Sequence, residues 1–115
     1  MTDSNAQLKY ELLDSDTIQF LGLTLYRIRA LRDFADVLAG NLGGYVESPD
    51  NPSHSGDCWV YGSAQVYGSA QVYDSAQVYG SAQVYGSAQV GGSAWVYGPA
   101  QVYGSAQVYG SAQGS

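Results

Sequence analysis

The chain has 115 residues, of which only 12% are charged, and its formal charge is −6 with four Lys+Arg. That length suits one domain with a small core, and that charge balance excludes the basic footprint of a nucleic-acid binder. No apolar run approaches the roughly 20 residues that span a bilayer, and Cys58, the single cysteine, excludes an internal disulfide.

The N-terminal stretch MTDSNAQLKYELLDSDT has no basic start followed by an apolar run, so a cytoplasmic chain without a secretory signal is expected. Charge then divides the molecule: thirteen of the fourteen charged residues lie in 1–57, and 58–115 hold only Asp74.

Residues 1–41 read as a cap. Gln7–Leu13 and Thr17–Leu21 read as two strands joined at Asp14-Ser15-Asp16. Leu23–Ile28 alternates as a third strand. Leu31, Phe34, Ala35 and Leu38 recur at helical spacing with Gly40 as a stop, which predicts a short helix.

Residues 42–59 read as one degenerate coil. In that phase Leu42 and Val46 face inward with Gly44 at a corner. His54 takes an inward valine-like position, Gly56 a corner and Cys58 a small inward position. Ser48–Ser53 (SPDNPS) fits no hexad.

Residues 60–115 are regular. The unit is V-Y-G-S-A-Q, and valine recurs at 60, 66, 72, 78, 84, 90, 96, 102 and 108 without a slip. Six is not a helical period. Within Ala-Gln-Val-Tyr the side chains alternate, so Ala and Val share one face while Gln and Tyr share the other. Gly-Ser then turns the chain, with glycine accepting φ > 0. So short a strand buries nothing alone, but coiling pairs each strand with the next turn and fills the interior with Val and Ala. Low-complexity disorder is the weaker alternative, because disordered repeats seldom place a β-branched residue so regularly.

This V-Y-G-S-A-Q run resembles the hexapeptide-repeat family, whose chains form left-handed parallel β-helices. The resemblance implies three hexads, or 18 residues, per triangular coil, with the aliphatic and the small residue inward. The left hand comes from the resemblance and opposes the usual crossover preference. Tyr after the aliphatic residue departs from the family's commoner small or acidic one. More narrowly, the chain is similar to bacterial and phage proteins with V-Y-G-x-A-x runs after a short cap. The expected fold is therefore all-β: a left-handed parallel β-helix with a small, mostly-β N-terminal cap.

The cap is a physical need, since the first coil would otherwise expose unpaired backbone and apolar interior. The repeat is still in phase at Gln113-Gly114-Ser115, which predicts a bare coil edge and an end-to-end homodimer. Residues 18 apart should stack, giving columns Tyr61–Tyr79–Tyr97 and Tyr67–Tyr85–Tyr103, and a third, Tyr73–Gly91–Tyr109, with a gap. Trp95 stands where a Gln is expected. The candidate interaction surface is Trp95, Tyr73, Tyr109 and Gln113, with a groove at the missing ring weighed against an indole leaning across it.

Many members of the resembled family are trimeric acyltransferases with a histidine base, and His54 is the one candidate here. Its inward register favours a structural role, and Asp57 and Cys58 beside it are not expected to converge on it. No catalytic residue, cofactor or metal is therefore assigned. Ice binding needs threonine columns, and the repeat has no threonine. The reading is a non-enzymatic structural module that self-associates. The alternative is a glycan- or protein-binding surface built from Tyr and Gln stripes.

Overall fold

A computed structural model describes residues 8–20, 22–110 and, by backbone alone, 113–114. Two strands form the cap, β1 (Tyr10–Phe20) and β2 (Leu23–Ala30), and β3 (Leu42–Val46) opens the first coil. Two-residue strands follow at every hexad: β4 (Trp59–Val60), β5 (Gln65–Val66), β6 (Gln71–Val72), β7 (Gln77–Val78) and β8 (Gln83–Val84). The series continues through β9 (Gln89–Val90), β10 (Trp95–Val96), β11 (Gln101–Val102), β12 (Gln107–Val108) and β13 (Gln113–Gly114).

These strands stack into three parallel sheets, β3-β5-β8-β11, β4-β7-β10-β13 and β6-β9-β12, one for each side of a β-solenoid of about 4 turns. The described residues contain no helix, and so none long and apolar enough to cross a membrane. The pairing joins residues 18 apart, as in Val60↔Val78 and Gln83↔Gln101.

The alternation has the outcome that the hexad requires. The valines from Val60 to Val96 and the alanines Ala64, Ala76, Ala82, Ala88 and Ala94 are fully buried in one core cluster. Each buried valine stabilises the coil by about 1.5–2 kcal/mol relative to exposure. Corners need φ > 0. Gly80, with φ 72, lies so close to Gly98 of the next coil that a Cβ would fall 2.8 Å from its nitrogen. Asp74 fills the same position with φ 57 and accepts the Gly92 N–H at 3.2 Å.

The cap joins the solenoid through β3, which runs antiparallel to β2 and parallel to β5. In place of the expected turn at Asp14-Ser15-Asp16, β1 runs unbroken past these residues. They bulge out between Leu13↔Arg27 and Thr17↔Tyr26. The bulge carries Asp16 to the Arg27 guanidinium at 2.8 Å, and the Tyr45 hydroxyl donates to the same carboxylate at 3.1 Å. The far ends of the two expected strands, Gln7 and Leu21, lie outside the described residues.

The helix expected over 31–38 is absent. Phe34 and Val37 exchange N–H···O=C bonds at 2.9 and 2.7 Å around a tight turn with Ala35 at φ 47, a conformation no α-helix accepts. Phe34 and Val37 face the core, while Leu31 and Leu38 are exposed. The apolar spacing serves a turn that presses Phe34 onto Trp59 and buries Val37 in the core.

The phase expected for the first coil is also corrected. Val46 pairs with Val66 and Pro52 with Val72, two residues further apart than the 18 of the regular ladder. Val46 therefore takes the valine position, and Gly44 the small inward one, where a Cβ would fall 2.7 Å from Val60 Cγ1. Leu42 is exposed instead of inward, and Pro52, not His54, is the valine equivalent. The two extra residues lie between Pro52 and Gly56, so Gly56 at a corner (φ 72) and Cys58 inward stand as expected.

Candidate functional site

Displaced from the core by those two residues, His54 lies half-buried on the cap. Its ring stacks on Tyr10 with centroids 4.1 Å apart and planes at 6°. Its Nδ1 accepts the Lys9 backbone N–H at 3.1 Å. Burial pushes its pKa below the usual histidine value, and the Pro49 carbonyl offsets part of this. One ring nitrogen and one ring face are thus committed to holding the cap.

Lys9 is fully buried beside it. Its Nζ donates to the Cys58 carbonyl at 2.7 Å and the Gly56 carbonyl at 3.3 Å, and sits 4.7 Å over the Phe34 ring. Burial lowers the Lys9 pKa and raises that of the Cys58 thiol, whose Sγ is 3.5 Å from Nζ. A buried thiol with a raised pKa is a poor nucleophile. The amine serves as a plug that satisfies carbonyls at the first corner. Among the described residues no group of three His, Cys, Asp or Glu side chains is placed to hold a metal ion.

The tyrosine columns form on the outside. Tyr67 and Tyr85 stack at 5.0 Å and 2°, Tyr85 and Tyr103 at 5.4 Å and 12°, and Tyr79 and Tyr97 at 5.5 Å and 15°. Gln65 and Gln83 share an amide hydrogen bond at 3.2 Å. Trp95 is 42% exposed on the β4-β7-β10 face, and Tyr109 is 59% exposed. The side chain of Gln113, the fourth candidate, lies outside the described residues. Of the four, Tyr73 and Tyr109 share a column and Trp95 starts the strand after its corner.

The gap at Gly91 is closed by neither a groove nor the indole. Tyr73 leans along the axis and covers it, so that a Cβ on Gly91 would collide with Tyr73 Cε2 and Cζ. Among the described residues Tyr73 stacks with no other ring, unlike Tyr67, Tyr79 and Tyr85.

On its other side Tyr73 lines an open cleft of about 440 Å³ with Pro49, Asp50, Ser53, His54 and Gln71. The oversized coil is bonded to β6 through Pro52↔Val72, and the irregular residues on either side of that bridge form the wall of the cleft. The segment is held firmly. Asn51, 2% exposed, accepts from the Glu47 and Ser48 N–H groups at 3.1 and 2.9 Å and donates to the Ala70 carbonyl at 2.9 Å. The Tyr10 hydroxyl lies 2.7 Å from the Pro49 carbonyl and 2.6 Å from that of Pro52. Sequence reasoning passed over Lys9, Tyr10 and Asn51. The one signal was Pro49 and Pro52 flanking Asn51 in a stretch that fitted no hexad. The chain matches no family model, and no curated protein is found similar to it.

Proposed function

We propose that the protein is a non-enzymatic structural module of the hexapeptide-repeat kind, a capped solenoid that associates with a second copy through its last coil. The observation that carries this is the contrast between its two ends. At the cap, Trp59 and Val60 are buried under β3, Tyr10 and Phe34. At the far end Tyr103 and Tyr109 are 57% and 59% exposed, and among the described residues β11 and β12 each have a strand partner on one side only. A coil edge of this kind, with no charged side chain nearby, is a template for another edge, and each added ring stack contributes about 0.5–1.5 kcal/mol.

Sedimentation velocity tests the reading. A concentration-dependent dimer is expected, and Val108→Lys, which puts a charge at the half-buried end of the core, should return it to monomer. A monomer at every concentration up to high micromolar overturns the reading. The alternative, a glycan surface along the Tyr and Gln stripes, has less support. Ring faces in the Tyr67–Tyr85–Tyr103 column are spent on one another at 5.0 and 5.4 Å.

A further inference from the structure

We propose that the cleft between the Pro49–His54 segment and Tyr73 is a binding site for an uncharged, hydroxyl-rich ring, a saccharide unit, with Tyr73 as its platform. Three independent features of the molecule meet there. The first is the irregular Pro49–His54 stretch of coil one, which carries the two extra residues and lines the recess together with β6 and Tyr73. The second is rigidity. Asn51 is fastened to Ser48 and Ala70, and Tyr10 to the Pro49 and Pro52 carbonyls, so the wall is organised before any ligand arrives.

The third is Gly91. With no ring at 91 to stack on, Tyr73 lies over Gly91 and lines the cleft together with Gln71. The lining decides the ligand class. The lining holds one carboxylate, Asp50, and no Lys or Arg, and the Arg32 guanidinium beside it donates to the His54 carbonyl at 2.9 Å, so the lining itself offers a phosphate or carboxylate no counter-charge. The Gln71 amide, the Asp50 carboxylate and the Ser53 hydroxyl together offer donors and acceptors suited to vicinal hydroxyls. An aromatic ring beside them offers a flat apolar surface for the C–H face of a pyranose. The site lies at the capped end and is independent of the association proposed at β11 and β12.

Titration of the full chain with maltohexaose, cellohexaose and chitohexaose at millimolar concentration, followed by NMR, tests the proposal. For at least one sugar the Gln71 side-chain amide, the His54 ring and the Tyr73 ring should shift together. Tyr73→Ala should weaken that binding roughly tenfold, the loss of one stacking platform. Gly91→Tyr should weaken it similarly by drawing Tyr73 back into a regular column, without lowering the urea midpoint. Absence of shifts with all three sugars overturns the proposal. So does unchanged affinity in both variants, or the same shifts produced by choline instead, which would make the cleft a cation site at Asp50.

Discussion

Trp59 and Trp95 pair with the same residue, Gln77, from opposite sides of one parallel ladder, yet Trp59 is 1% exposed and Trp95 is 42% exposed. Identical residues in identical hexad positions thus differ entirely in environment. The cause is the cap: Tyr10 and Phe34 meet the Trp59 indole edge-on at 6.1 and 5.2 Å, and among the described residues no ring meets Trp95 in this way.

Trp59→Ala should therefore lower stability by about 3–5 kcal/mol, as expected for emptying a large aromatic site. Trp95→Gln, which restores the ordinary hexad residue, should stay within about 0.5 kcal/mol of the parent. Urea unfolding followed by far-ultraviolet circular dichroism measures both.

Asn51→Ala should cost on the order of 3 kcal/mol, because it leaves buried carbonyl and N–H groups without partners. Asn51→Asp should also be damaging, since a carboxylate cannot donate to the Gly68 and Ala70 carbonyls that Asn51 Nδ2 reaches at 3.3 and 2.9 Å. Amide exchange at Glu47 and Ser48 reports the loosened segment before global unfolding does.

His54 sets a pH dependence. Its folded pKa lies below the ordinary 6.5, chiefly because of burial, so as pH falls the unfolded chain takes up this proton first. Its contribution is present above 6.5 and is lost as pH drops through the folded value. The urea midpoint should fall between neutral and mildly acidic pH, and His54→Gln should flatten that fall.

At the alkaline end burial raises Cys58 above its ordinary 9.0, so its contribution is lost as pH rises from that value through the folded one. Lys9, lowered by burial from 10.5, acts with the opposite sign over a neighbouring range. Cys58→Ala should make the alkaline decline in the urea midpoint shallower.

Gly80→Ala should destabilise more than Gly62→Ala. Both positions have positive φ, 72 and 60, which alone costs about 1–2 kcal/mol. Only at Gly80 does a Cβ also meet the backbone of the next coil, while Gly62 faces open space. Thermal unfolding of the two variants side by side gives the difference.

Much of the solenoid was legible from the hexad alone, because from Val60 to Val96 valine and alanine fill the core and a positive-φ residue turns each corner, glycine or, at 74, aspartate. The candidate surface was less so. Trp95 and Tyr109 are exposed at the positions the period gives them. The missing ring at Gly91 announced a special place, but the residue that fills it, Tyr73, comes from the coil before. The His54 register differs from the sequence reading because Ser48–Ser53 marks an irregular stretch but leaves 42–59 at 18 residues, the length of one whole coil, and so hides that two extra residues lie between Pro52 and Gly56.

What the amino-acid order determined by itself is the repeated part: inward Val and Ala, outward Tyr and Gln, and a corner every sixth residue, held by glycine or, at 74, by aspartate. Those outcomes follow from short-range alternation and a fixed period. Only the tertiary structure decided the cap, the phase of the first coil and the cleft. These depend on contacts such as Lys9 with Cys58 and Tyr10 with Pro52, 49 and 42 residues apart along the chain. No local pattern encodes a pairing that exists only once the solenoid has closed beneath the cap.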